Sequence, residues 1–248
     1  MIKSYGISET GLVRKVNEDS IWSGDKPFFI LADGMGGYEG GQVASSSAVQ
    51  AAKDFFETLS PDAYSEDTVR DAILHANEAI LRRKMESDSL CHMGTTMVMA
   101  AIAGKTLYWG HVGDSRLYLV KDGTLTQVTK DHSFVMTLVD EGKITKEEMR
   151  GHPRKNEITR AVGISHDLSV DTGTILLDEA QLILICSDGL STMLSDETIQ
   201  AVILSYGHTE EQLEACTKEL VRKVYEAGAS DNISAILIHY EPDEVATE

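Results

Sequence analysis

The chain has 248 residues, 42% of them apolar and 25% charged, which is enough material for one large domain with a sizeable core. Its 22 basic and 40 acidic residues leave a formal net charge of −18, a balance that disfavours nucleic acid and anionic membrane as partners. No stretch approaches the ~20 apolar residues of a membrane helix, the first twenty residues lack a signal peptide's apolar run, and Cys91, Cys186 and Cys216 are too far apart for a zinc site or a disulfide framework, as in a reducing cytoplasm.

In chain order, the first chemistry-bearing segment is GLVRKVNEDS, where Arg14 precedes the acid pair Glu18-Asp19. The apolar run FFILA at 28–32 reads as a buried strand and ends in Asp33-Gly34. Two amphipathic helices follow, over 41–60 and 65–88. The second opens on a Ser-x-x-Thr start rich in acids. Strands are then predicted over 95–103, 106–113 and 115–123, with Gly104-Lys105 as a hairpin connection and only Asp114 between the last two. The spacing makes these three antiparallel neighbours. A charged, apolar-poor insert covers 137–160. Strands at 180–187 and 233–240 bracket a second helix pair. Ser195 and Thr209 are its N-caps, Gln212 completes a capping box, and Gly207 and Gly228 stop the helices. Without repeats or a Pro/Gly-rich linker, the chain reads as one domain over 1–241 with a loose tail at 242–248. Central strands with a helix pair on each side predict an α+β fold, a four-layer α-β-β-α sandwich of two antiparallel sheets.

Asp33, Asp114, Asp188 and Asp231 each stand at or within two residues of the end of an apolar strand, and three of them precede Gly or Asn. Singly, each is better explained as a turn residue. Antiparallel strands could bring these ends to one edge, where four carboxylates would repel one another and hold raised pKa values unless a divalent cation joined them. An all-oxygen set suits magnesium, manganese or calcium rather than zinc. Arg14 beside such a centre would be a natural fork for a phosphate; alone it would be a surface arginine.

The order of the motifs resembles the metal-dependent serine/threonine protein phosphatases of type 2C, the PPM family, of the bacterial stand-alone type. RKVNEDS (14–20), ADGMGG (32–37), GTT (94–96), HVGDSRLY (111–118), KDHS (130–133), NEITRAVG (156–163), CSDGL (186–190) and SDNIS (230–234) run in family order across nearly the whole chain. The resemblance implies a centre of two Mn²⁺ or Mg²⁺ ions. Asp33 would bridge them, the Gly34 carbonyl would complete one, and Asp188 and Asp231 would hold the ion they share with Asp33. Glu18 and Asp19 would hold waters on the ions, with Asn232 beside Asp231 in the same surround. Asp114 would hold a weaker third ion, and Arg14 would clamp the substrate phosphate. The implied activity is hydrolysis of phosphoserine and phosphothreonine in proteins by a metal-activated water, opposing a bacterial serine/threonine kinase, by a cytoplasmic monomer.

One position departs from the eukaryotic pattern Asp-Gly-His-Gly-Gly, whose histidine is thought to protonate the leaving oxygen. Here that position is Met35, which cannot donate a proton. Bacterial members often share the change, and the general acid stays unassigned: a water on the cation is the simplest candidate, with His132 and His152 as alternatives. The insert 137–160 corresponds to the family's flap, whose basic cluster HPRK (152–155) stands out on an acidic chain. The competing function is a non-catalytic phosphoprotein-binding regulatory domain on the same fold.

Overall fold

The computed structural model describes residues 1–36, 40–206 and 209–242. Two sheets face each other. The first runs β1 (Ile2–Glu9), β11 (Ile233–Tyr240), β10 (Gln181–Cys186), β7 (Arg116–Lys121) and β8 (Thr124–Gln127). The second runs β2 (Asp19–Ser23), β3 (Phe28–Met35), β5 (Met97–Ala103), β6 (Thr106–Val112) and β9 (Asp171–Leu176), with the short β4 (Gly94–Thr95) beside β3. The pairings are antiparallel throughout. Helices α1 (Gly40–Glu57) and α2 (Glu66–Lys84) cover the second sheet, and α6 (Asp196–Ser205) and α7 (Glu210–Glu226) cover the first.

This layering explains why the central strands are apolar without interruption. Successive side chains of a strand point to opposite faces. In β3, Phe28, Ile30 and Ala32 pack under α1 and α2, while Phe29 and Leu31 enter the layer between the sheets. There they meet Ile183 and Ile185 of β10 and Ile236 and Ile238 of β11. A strand covered on both faces has no solvated side to mark with polar residues.

The expected caps are present. Ser65 with Thr68, and Thr209 with Gln212, form capping boxes, and Ser195 accepts from the Thr198 N–H. Gly228 follows the last turn of α7 with φ +111°. The predicted stop at Gly207 and the tail beyond residue 242 lie outside the described residues.

One predicted pairing is corrected. β5 and β6 are neighbours, but β6 and β7 are not: β6 pairs with β9, and β7 pairs with β10 and β8. Gly113-Asp114-Ser115 is a crossing from one sheet to the other rather than a hairpin. Gly113 takes φ +112° there, and a Cβ on it would lie 2.6 Å from the Thr96 side chain. The crossing places Asp114 at the end where both sheets open.

The insert is largely irregular. Besides α3 (Phe134–Asp140) and α4 (Lys146–Met149) it is loop, tied back by isolated bridges from Ser133 to Ile158 and from Thr95 to Val162.

Candidate active site

Topology brings the strand ends together. β10 leaves the first sheet through Ser187 and turns at once into α5 (Asp188–Ser191), and β11 enters beside it after Asp231-Asn232. In the second sheet β2 begins where β3 ends, with Asp19 opposite Asp33. A cleft of about 250 Å³ opens at this end of the sandwich, and Asp33, Asp114, Asp188 and Asp231 all line it. Arg14, Glu18, Gly34 and Asn232 line it too, as do Met35 and the insert residues Asn156 and Ile158. Asp19 is the exception: it stands behind Asp33, buried, with Oδ2 accepting from Ser187 Oγ at 2.8 Å.

Each acid is positioned by backbone. Asp33 N–H donates to Thr96 Oγ1 at 3.0 Å, and its carbonyl accepts from Thr96 N at 2.8 Å and Thr95 Oγ1 at 2.8 Å. Ser187 is clasped by Ser234 through two backbone-anchored bonds of 3.0 Å, which fixes the launch of α5 and of Asp188. Glycines permit the close approach. A Cβ on Gly34 would lie 2.1 Å from the Gly41 carbonyl oxygen, and one on Gly189 would lie 1.9 Å from that of Asn232.

Burial is the leading electrostatic cost. It holds Asp33 well above the usual carboxylate range, reinforced by Asp19 and Asp188, and does the same for Asp114, reinforced by Asp188 and Asp131. It pushes Asp19 and Asp188 up to about 6, with Asp231 adding to the rise at Asp188. Glu18 is raised by burial as well. Glu18 Oε1 and Asp19 Oδ1 are buried with no hydrogen-bond partner. Crowded oxygens, two of them orphaned, are the donor set a hard divalent cation satisfies. Among the described residues no three His, Cys, Asp or Glu side chains form a ready-made cage.

Arg14 is at the cleft, but its partner is an acid of the cluster: Nη2 donates to Asp231 Oδ2 at 2.8 Å, with half of the arginine side chain exposed. Asn232 does more than the motif suggested. Its Oδ1 accepts from Glu18 N at 2.8 Å, and its Nδ2 donates to the carbonyls of Thr10 and Val16, each at 3.0 Å. One amide thus holds the loop that carries Arg14 and Glu18.

Neither candidate acid histidine reaches the cleft. His152 Nδ1 accepts from Arg154 N at 3.2 Å, with its ring 6.1 Å from that of Phe134. His132 is buried. Its Nδ1 accepts from Gly113 N at 3.1 Å, so the proton sits on Nε2, which donates to Asp171 Oδ2 at 3.0 Å. With His132 N donating to the Gly113 carbonyl at 2.7 Å, this residue staples the crossing that precedes Asp114. Sequence spacing carried no sign of that role, since 19 residues separate the partners.

A family model described as protein phosphatase 2C matches residues 15–237. The chain belongs to the protein phosphatase 2C family. The serine/threonine protein phosphatase PstP of Mycobacterium tuberculosis is 39% identical over 236 residues, which are 93% of this chain and 43% of PstP. This chain thus spans less than half the length of that relative. The serine/threonine phosphatase stp of Listeria welshimeri is 33% identical over 238 residues, 93% of each protein. Among solved structures, the catalytic domain of PstP in complex with two manganese ions superposes with a TM-score of 0.86 at 35% identity, covering 96% of this chain and 97% of that one. The family's fold is the four-layer sandwich described above.

Proposed function

We propose that the chain is a metal-dependent serine/threonine protein phosphatase, its catalytic domain spanning 1–241 with a flap at 137–160. The observation that carries this reading is the convergence of Asp33, Asp114, Asp188 and Asp231, from both sheets, in one cleft beside Arg14. Asp33, Asp188, Asp231 and the Gly34 carbonyl would hold a pair of Mn²⁺ or Mg²⁺ ions. Glu18 and Asp19 would act through waters on the ions, with Asp19 held in place by its bond from Ser187. Asp114 would hold a third ion more weakly. When bound, such ions acidify water towards neutral pH and neutralise phosphate charge. Arg14 turns from Asp231 to the substrate phosphate and orients it in the cleft. Met35 lines the cleft without a proton to give, and the Nε2 of His132 faces Asp171, so neither takes the role of general acid.

Cys186 is fully buried within β10, and burial pushes its thiol up to about 12, which leaves no thiolate nucleophile for a covalent route. The substrates are phosphoproteins made by a serine/threonine kinase, the location is cytoplasmic and the enzyme acts as a monomer. Among the described residues no helix is long and apolar enough to cross a membrane. The test is hydrolysis of p-nitrophenyl phosphate and phosphoserine peptides with manganese, magnesium or EDTA. Manganese-dependent turnover that Asp231→Ala abolishes is expected. Turnover that survives EDTA and this substitution overturns the site, and a folded protein that binds phosphopeptides without hydrolysing them under any metal establishes the regulatory alternative.

A further inference from the structure

A second cavity of about 60 Å³ adjoins the cleft under the flap. Asp114 and Asp188 line both spaces, so the two share a wall. Its other sides come from α5, through Ser191 and Thr192, and from the insert and its roots, through Ser133, Met149, Arg150, Lys155 and a third carboxylate, Asp131. The charges there are not all available. Arg116, which also lines it, is spent on Asp131 through a two-pronged pair of 2.9 and 2.7 Å. In the basic cluster HPRK, Arg154 is spent too. It grips Glu157 with two bonds of 2.7 and 2.6 Å, and its guanidinium lies 3.5 Å over the Phe134 ring. Lys155 differs: among the described residues it has no carboxylate within ion-pair reach, and it lines the cavity. Arg150 donates to the Leu194 carbonyl at 3.3 Å and acts on Glu197 through space, but among the described residues it has no carboxylate within ion-pair reach.

Two cations without carboxylate partners, on a chain of formal charge −18, thus stand over a small cavity that shares Asp114 and Asp188 with the cleft. We propose that this cavity is a subsite for a second anionic group, carboxylate or phosphate, on the peptide whose phosphoresidue occupies the cleft. The inference rests on the phosphatase reading and adds a substrate class to it: phosphopeptides acidic or doubly phosphorylated near the scissile residue. Ser133 and the apolar side of Met149 suit a compact anion on a short stem.

The experiment compares kcat/KM on three phosphoserine peptides that differ only in flanking residues: glutamines, glutamates, or a second phosphoserine. The wild type should prefer the anionic peptides by roughly three- to tenfold, the size of a charge-assisted contact at a partly solvated site. That preference should shrink as ionic strength rises. Lys155→Ala and Arg150→Ala should each reduce it, Lys155→Glu should reverse it, and Arg154→Ala, outside the cavity, should leave it. The peptide whose advantage falls further identifies which anion the subsite takes. All three positions are exposed, and thermal melts verify folding. A preference that persists in both Lys155→Ala and Arg150→Ala, or equal rates on all three peptides, overturns the subsite. Absence of turnover on every peptide overturns the phosphatase reading instead.

Discussion

Arg14 carries one charge between two anions, and its contacts separate its roles. Paired to Asp231 at 2.8 Å, it neutralises an acid of the cluster; turned outward, it can meet phosphate. Arg14→Ala should raise KM roughly ten- to a hundredfold, the loss of a charge-assisted bond of about 1.5–3 kcal/mol. It should not weaken manganese binding measured by calorimetry, because Asp231 loses a competitor. An unchanged KM with a weaker manganese titration would place Arg14 in the metal surround alone. His111 offers a second residue-scale test. It is fully buried, neither ring nitrogen has a hydrogen-bond partner, and burial followed by the neighbouring His132 lowers its pKa to about 3. The unfolded chain holds this histidine near 6.5, so between the two values the unfolded state binds the extra proton and stability is lost as pH falls. Comparing urea unfolding at pH 7 and pH 5, His111→Asn should remove about 2 kcal/mol of the acid-side loss. An identical pH dependence in wild type and variant would mean that His111 reaches a proton acceptor when folded.

At the scale of elements, the site depends on how closely α5 starts against β11. Gly189 sits in the first turn of α5, where a Cβ would lie 1.9 Å from the carbonyl oxygen of Asn232, a backbone atom that cannot turn aside. Gly189→Ala should therefore cost roughly 1–3 kcal/mol or more and push Asp188 away from Asp231. Gly151, in the flap, has nothing within 4 Å of its Cβ position, and Gly151→Ala should stay within about 0.5 kcal/mol. Denaturation midpoints of the two variants, with manganese titrations, test the pair. Equal midpoints would show that α5 shifts as a unit at no cost. The same scale explains which strands the sequence reveals. All six central strands, β3, β5, β6, β7, β10 and β11, appear as apolar runs. The four edge strands β1, β2, β8 and β9 do not. Edge strand β1 reads IKSYGISE with nearly every residue half-buried, and β8 reads TLTQ. An edge strand has one open side and mixed cover, so its pattern is neither a continuous apolar run nor a clean alternation.

Across the whole molecule, the acid cluster couples stability to the cation. Crowded carboxylates at one end of both sheets oppose folding when they ionise, and an ion that binds only the folded state adds stability by mass action. At about 100 times its dissociation constant, manganese should add about 2.7 kcal/mol, a rise of roughly 5–10 °C in Tm for a domain of this size. Asp188→Asn should lose most of that rise. In EDTA the same variant should melt above the wild type, since it removes one of the repelling charges. Calorimetric melts of both proteins with and without manganese test this. A wild-type Tm indifferent to manganese, or a variant less stable in EDTA, would show that the cluster is held by protein contacts and not by an ion.

The amino-acid sequence determined the two-sided strands, the capped helices, the layered class and the identity of the acids, because burial on both faces and N-capping leave local marks. The motif order also carried the family. Where the acids meet was a tertiary decision. It follows from β10 and β11 lying side by side, and from the crossing at Gly113–Ser115, which sequence spacing had suggested as a hairpin. Also tertiary are the grip of Asn232 on a loop more than 200 residues away, the staple of His132 on Gly113, and the division of HPRK into a spent Arg154 and an uncommitted Lys155. These are hydrogen bonds and ion pairs between distant segments. Residue type limits which groups can bond, but only the folded chain brings the partners within hydrogen-bonding reach.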